Sequence, residues 1–132
     1  MTELRHDEVA EGVRAAMHTY VHALDDGRTD DIVATFCPHG VFDSGALGVA
    51  EGHAALAETY AGWKPTIPQR HVMANTVLTE WSDNSAKATS DVIFMVKAGS
   101  GWTVQLVGRY DDTLRNVDGS WRFERRVLRF VD

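Results

Sequence analysis

Four long runs fill the second half of the chain: QRHVMANTVLTEW (69–81), AKATSDVIFMVKA (86–98), WTVQLVGRYDDTLR (102–115) and SWRFERRVLRFV (120–131). They are rich in β-branched and aromatic residues, which suit a pleated, half-buried surface. The segments between them, SDNS, AGSG and NVDG, carry the turn formers that join antiparallel neighbours. Each run is roughly twice the ~5–6 residues usual for a strand, and strands that long twist or bend rather than lie flat. A bent antiparallel sheet has a concave side, and something must fill it.

The first half supplies the filler. Val9, Val13, Met17, Tyr20 and Leu24 recur at helical spacing between Asp7 and Leu24, which predicts an amphipathic helix stopped by Gly27. TDDIVATF predicts a short second helix, with Thr29 or Asp30 as N-cap and an end near Cys37 and Pro38. GVFDSG reads as a brief strand, and EGHAALAETYAG as a third helix closed by Gly62. Helices first and hairpin-linked strands afterwards make the class α+β, in one domain over residues 1–132. If the first helix fills only part of the concavity, a pocket remains.

Polar residues crowd the end of that helix in HTYVHALDDGRTDDI. On a wheel with Val13 at zero, Asp25 falls at about 120°, His18 at about 140°, His22 at about 180° and Asp26 at about 220°. Asp25 therefore borders the apolar face, whereas His22 and Asp26 look outward. The same wheel does not bring Tyr20 and Asp25 to one side. In RHVMANTV, two-residue alternation puts His71, Met73, Asn75 and Val77 on one face and Val72, Ala74, Thr76 and Leu78 on the other, both part buried. His18 and His22, four apart, suggest a metal pair, but neither the glutamate of HExxH nor a cysteine pair accompanies them. Surface exposure is the simpler reading of both, and His6, His39 and His53 have no supporting constellation. Cys37 is read as a small core residue.

A net charge of −6 disfavours nucleic acid and anionic membrane surfaces as partners. One cysteine allows no internal disulfide, and the N-terminal stretch lacks a signal-peptide apolar run, so a cytoplasmic location is expected. Neither a nucleotide motif nor a metal motif is found, and no cofactor is expected.

The order of elements resembles the nuclear transport factor 2-like superfamily, also called SnoaL-like or cystatin-like. The resemblance is carried by YVHALDDGRTDDIVATFCPHGVF, GHAALAETYAG, RHVMANTVL and GRYDDTLRNVDGSWRFERRV. It implies helices packed in the concave face of a strongly curved, mainly antiparallel sheet, an α+β barrel with a cone-shaped pocket. Scytalone dehydratase, bile-acid 7α-dehydratase and hexachlorocyclohexane dehydrochlorinase, enzymes of this superfamily, pair an aspartate near the end of the first helix with a histidine at the start of the strand after the third. Those positions are Asp25 and His71 here. A tyrosine five residues before the aspartate falls on Tyr20, and an arginine in the last strand on Arg126. His39 departs from the acidic residue that relatives often carry. The superfamily also hosts non-enzymes.

These residue types suit proton transfer. A carboxylate on one imidazole nitrogen fixes the tautomer and stabilises the imidazolium formed in turnover, leaving the other nitrogen to act as base. Tyr20 and Arg126 would donate hydrogen bonds to an oxygen on which charge develops. Arg122, Arg125, Arg126 and Arg129 could each equally be a solvated strand residue. The expected function is a cofactor-independent lyase or isomerase acting on an apolar cyclic molecule such as a polyketide, steroid or terpenoid. The alternative is a non-catalytic ligand-binding or dimerising module. Expected partners are an apolar small-molecule ligand and copies of the same chain, as a homodimer or homotrimer. Trp63, in a Pro-bearing loop before the sheet, is a natural lid over the cavity.

Overall fold

The computed structural model describes residues 3–131. Helix α1 (His6–Asp26) opens with Asp7 and Glu8 in its first turn, where carboxylates complement the helix dipole. The Glu8 carboxylate accepts a bond from the Arg5 backbone N–H at 3.1 Å. Gly27 ends the helix in the left-handed region, with φ of 69°, and its N–H returns to the last-turn carbonyls. Val9, Val13, Met17, Tyr20 and Leu24 are all buried, so the expected stripe is the face turned to the core. Gly12 lets that helix lie against Trp121: a Cβ there would come within 2.2 Å of the indole Cδ1.

Helix α2 (Thr29–Ala34) is shorter than expected and has Arg28, not Thr29 or Asp30, at its N-cap, with no side-chain capping bond. The chain turns extended at once, so β1 (Phe36–Asp43) takes in the Cys37-Pro38 segment, near which the sequence pattern predicts the helix end. Proline restrains its neighbour to extended backbone, which accounts for the early start. A three-residue strand, β2 (Val49–Glu51), follows and pairs with β1. Three residues carry no readable period, and nothing in the sequence pattern marked it. Helix α3 (His53–Gly62) buries Leu56 and Tyr60.

The four long runs become β3 (Gln69–Trp81), β4 (Ser85–Ala98), β5 (Gly101–Val117) and β6 (Ser120–Phe130). The sheet order is β2-β1-β6-β5-β4-β3, antiparallel throughout except for the parallel β1–β6 pair. The class is α+β as expected, with helices on the inner face of a mixed, mainly antiparallel sheet.

Four register shifts interrupt the three long pairings, at Ala74/Val77, Leu78/Glu80, Phe94/Met95 and Thr113/Leu114. Such bulges add a residue to one strand and increase local bend and twist. At the first, Asn75 adopts φ of 56°, a conformation asparagine tolerates better than other non-glycine residues. The extra residue reverses the alternation along β3. His71 and Met73 face inward, but beyond the bulge it is Thr76 and Leu78 that do so, and Val77 is exposed. The uninterrupted alternation expected for this strand is thus corrected after Ala74. The outer face is also more open than expected, with Val72 47% exposed.

Candidate active site

Asp25 occupies the last turn of α1, and His71 the third residue of β3. The imidazole Nδ1 lies 2.7 Å from the Asp25 Oδ1. The backbone N–H of His71 donates to Oδ2 of the same carboxylate at 2.8 Å. A third donor, Gln69 Nε2, reaches Oδ1 at 3.2 Å. One carboxylate therefore accepts three hydrogen bonds, all from the start of one strand. With a carboxylate accepting at Nδ1, the proton belongs on that nitrogen and the lone pair on Nε2.

The side chains of Asp25 and His71 are 6% and 13% exposed. Phe94, opposite His71 on β4, stacks on the imidazole with centroids 4.4 Å apart and planes inclined by 18°. Ring and carboxylate are both held, so the direction of Nε2 is held with them. Nε2 has no protein partner and is not sealed from solvent. The arrangement can offer a lone pair of fixed aim at the rim of the interior. Gln69 was not singled out from the sequence, although it sits two residues before His71 on the same strand face. That spacing was the available signal.

Deeper in the interior, Arg126 is fully buried. Its Nε and Nη2 donate to the two oxygens of Asp112, at 2.9 and 3.3 Å. Nη2 also approaches Met73 Sδ at 3.7 Å. The guanidinium carbon stands 3.5 Å from the centroid of the Tyr110 ring and 4.4 Å from those of Tyr20 and Phe123. Burial opposes the charge on Arg126, but Asp112 and the surrounding tyrosines outweigh it and raise the guanidinium above its ordinary value. Desolvation pushes the Asp112 carboxyl up to about 6 despite the attraction of Arg126. Nη1 is buried without a hydrogen-bond partner; the aromatic faces offer it partial electrostatic compensation.

Tyr20 contributes to this inner group and not to the dyad. Its hydroxyl is 2.6 Å from that of Tyr60. Burial raises Tyr20 and Tyr60 well above the ordinary phenol value and Tyr110 above it, so all three keep their protons at neutral pH. In a hydroxyl pair one proton makes the bond, leaving the acceptor's own proton to donate elsewhere. The sequence-predicted residues thus form two groups: Asp25 with His71 at the rim, and Tyr20 with Arg126 inside, joined by Tyr60, Tyr110 and Asp112. Met73, two residues beyond His71 on the same strand face, links them.

The other candidates lie elsewhere. His18, His22 and Asp26 are exposed on α1. His53 Nε2 bonds the Phe36 carbonyl at 2.9 Å, and His6 packs edgewise on Trp81. Among the described residues no three His, Cys, Asp or Glu side chains gather as a metal site. Cys37 is half-buried in β1 rather than a core residue, and burial raises its thiol. Trp63 packs edgewise on Phe42 and Tyr60, beside the inner group. A groove of about 520 Å³ lies between α1, α2 and the start of β6, lined by Thr19, Arg28 and Trp121 among others; neither dyad residue lines it. No described helix is long and apolar enough to cross a membrane.

Residues 7–127 match the SnoaL-like domain. No curated protein sequence matches the chain. Among solved structures the chain is similar to Rv3472, a function-unknown protein of Mycobacterium tuberculosis, at 22% identity and a TM-score of 0.86, covering 92% of this chain and 71% of that one. It is similar to a candidate scytalone dehydratase from Novosphingobium aromaticivorans at 25% identity and a TM-score of 0.83, covering 93% and 84%. A protein of unknown function with a cystatin-like fold from Nostoc punctiforme matches at 19% identity and a TM-score of 0.79, covering 98% and 96%.

Proposed function

The chain belongs to the SnoaL-like domain family, and within that family we propose that it is a cofactor-independent lyase or isomerase whose proton-transferring group is His71, held by Asp25. The observation that carries this reading is the 2.7 Å Nδ1 to Oδ1 contact, which leaves a stacked, oriented imidazole with its Nε2 unpaired. The ligand class is an apolar cyclic molecule such as a polyketide, steroid or terpenoid, which suits an interior of aromatic and aliphatic side chains. The similarity to a candidate scytalone dehydratase supports an elimination in particular.

In such an elimination Nε2 takes a proton from the carbon next to a carbonyl, and the C–H pair becomes the new C=C bond. The β-hydroxyl departs with its bonding pair and leaves as water on receiving the proton from the imidazolium. Asp25 stabilises the cation formed between the two transfers. Arg126 Nη1 and the spare proton of the Tyr20–Tyr60 pair are the donors for the oxygen on which charge develops.

The test is turnover of a panel of hydroxylated cyclic ketones, followed by the absorbance of the conjugated product. Replacing Asp25 with Asn or His71 with Ala is expected to lower kcat/KM by about 10²–10⁴-fold. Full activity in both variants would overturn the dyad.

A second reading, a non-catalytic ligand-binding module, is favoured by the closure of the inner group, where Arg126 is already bound by Asp112 on two sides. A nitrogen NMR titration separates the two readings. An imidazole whose tautomer and titration are unchanged by Asp25→Asn favours the carrier.

A further inference from the structure

We propose that the groove between α1, α2 and the start of β6 is a second small-molecule site, one that takes an amphipathic carboxylate with a flat apolar body. Its volume is about 520 Å³, within the ~300–1,000 Å³ usual for ligand pockets. The observation that carries the proposal is the indole of Trp121, which lines this groove. Trp121 is 7% exposed. Its pyrrole edge lies under Gly12 of α1, where a Cβ would stand 2.6 Å from Nε1. Buried indole N–H groups normally find an acceptor. The helix backbone that this one faces has its carbonyls engaged by its own N–H groups four residues on. Among the described residues no side chain accepts from Nε1, and the atom is not sealed from solvent. A donor held so firmly and left open to a groove is matched by an oxygen brought from outside.

Charge decides which kind of oxygen. Arg28 and Arg122 line the groove against one carboxylate, Asp31. Asp31 is already bonded to Arg28. Arg122 makes no ion pair among the described residues, because Glu124, two residues along β6, is bonded to Arg115 instead. Two guanidiniums against one carboxylate leave this groove a positive excess in a chain with six excess negative charges. An anion is therefore drawn here and repelled from the surface at large. A carboxylate has the planar pair of oxygens that a guanidinium fork and a neighbouring N–H can share.

The α1 wall is built from Gly12, Ala15 and Ala16, whose small side chains leave room for a flat body. On the helical wheel with Val13 at zero these three fall at about 200–300°, whereas Asp25 falls at about 120°. Groove and dyad thus flank opposite sides of one helix. The site stands whether or not His71 transfers protons.

Titration of the nitrogen-15-labelled chain with 1-naphthoate, followed through its four indole N–H signals, tests the proposal. The Trp121 signal is identified as the one missing from Trp121→Phe. It is expected to move furthest of the four and to saturate with a dissociation constant on the order of 1 mM or tighter. Read at the same signal, 1-naphthamide, which has the same body without the charge, is expected to bind at least about tenfold more weakly. Arg122→Gln is expected to weaken naphthoate about tenfold, and His71→Ala to leave its affinity unchanged. Ala15→Leu, at an exposed helical position that suits leucine, is expected to block the groove, so the site is probed even if the strand variant fails to fold. A Trp121 signal unmoved at about 10 mM naphthoate, equal binding of acid and amide, or undiminished binding in either folded groove variant would overturn the proposal.

Discussion

Two carboxylates in this molecule each hold a basic partner, yet Asp25 with His71 and Asp112 with Arg126 sit in opposite circumstances. Asp25 accepts bonds from two side chains and a backbone N–H, and its partner keeps one nitrogen open to solvent. Asp112 spends both oxygens on one guanidinium, with neither side chain exposed. The first pair has a free end, the unpaired Nε2. The second has its charge matched inside a ring of aromatics, where breaking it leaves an ion in a dry environment. Position relative to the rim, more than residue type, separates a pair with an open nitrogen from one sealed in the interior.

Substitutions sharpen that contrast. The largest effect is expected from Asp112→Ala, which strands the buried guanidinium and costs about 3–5 kcal/mol in urea unfolding. The double variant Asp112→Ala with Arg126→Met is expected to recover most of that loss, because no charge is left unpaired; a double variant as unstable as the single would show that the pair is not the unit.

The second effect is one of pH. The folded Asp112 carboxyl titrates at about 6, above the ~3.9 of an unfolded aspartate. The folded state therefore binds the extra proton, and this group's contribution is fully present below about pH 4 and lost as pH rises through about 6. Its size is on the order of 2–3 kcal/mol. Comparing the pH dependence of unfolding in the protein and in Asp112→Asn isolates it; the same slope in both would assign it to another group.

At the rim the stability cost is smaller. His71→Ala leaves the backbone N–H and Gln69 on Asp25 and is expected to cost only about 1–2 kcal/mol. Gln69→Ala is expected to cost about 1 kcal/mol by removing one of the three bonds to Asp25. A loss at His71 as large as that at Asp112 would erase the distinction between the pairs.

How much of this was legible before the structure differs along the chain. The stripe on α1 and the span of β3 were readable because each has a clean period and a turn former at its end. Asp25 was readable as a border residue from its angle on the wheel. His71 met it because the start of β3 runs beside the end of α1, which only the fold's topology brings about. Arg126 was not legible as a buried residue. Alternation from Trp121 and Phe123 would turn Arg125 inward, but the irregular pairing at Leu114 inserts Glu124 and turns Arg126 inward instead. Asp112 went unremarked for a related reason, since a lone aspartate in a strand reads as solvent-facing until its partner is known. Tyr60 and Tyr110 are core residues; their hydroxyl and cation contacts depend on neighbours distant in sequence.

Asn75 splices the stretch of β3 that carries His71 out of phase with the stretch that carries Leu78. Flatten the bulge while keeping every residue and the strand faces a dilemma: keeping the imidazole indoors would turn Leu78 out to water, and keeping Leu78 indoors would swing the imidazole away from its carboxylate. Letting that one amino acid bulge outward thus reconciles a polar rim with an oily floor on one ribbon of backbone.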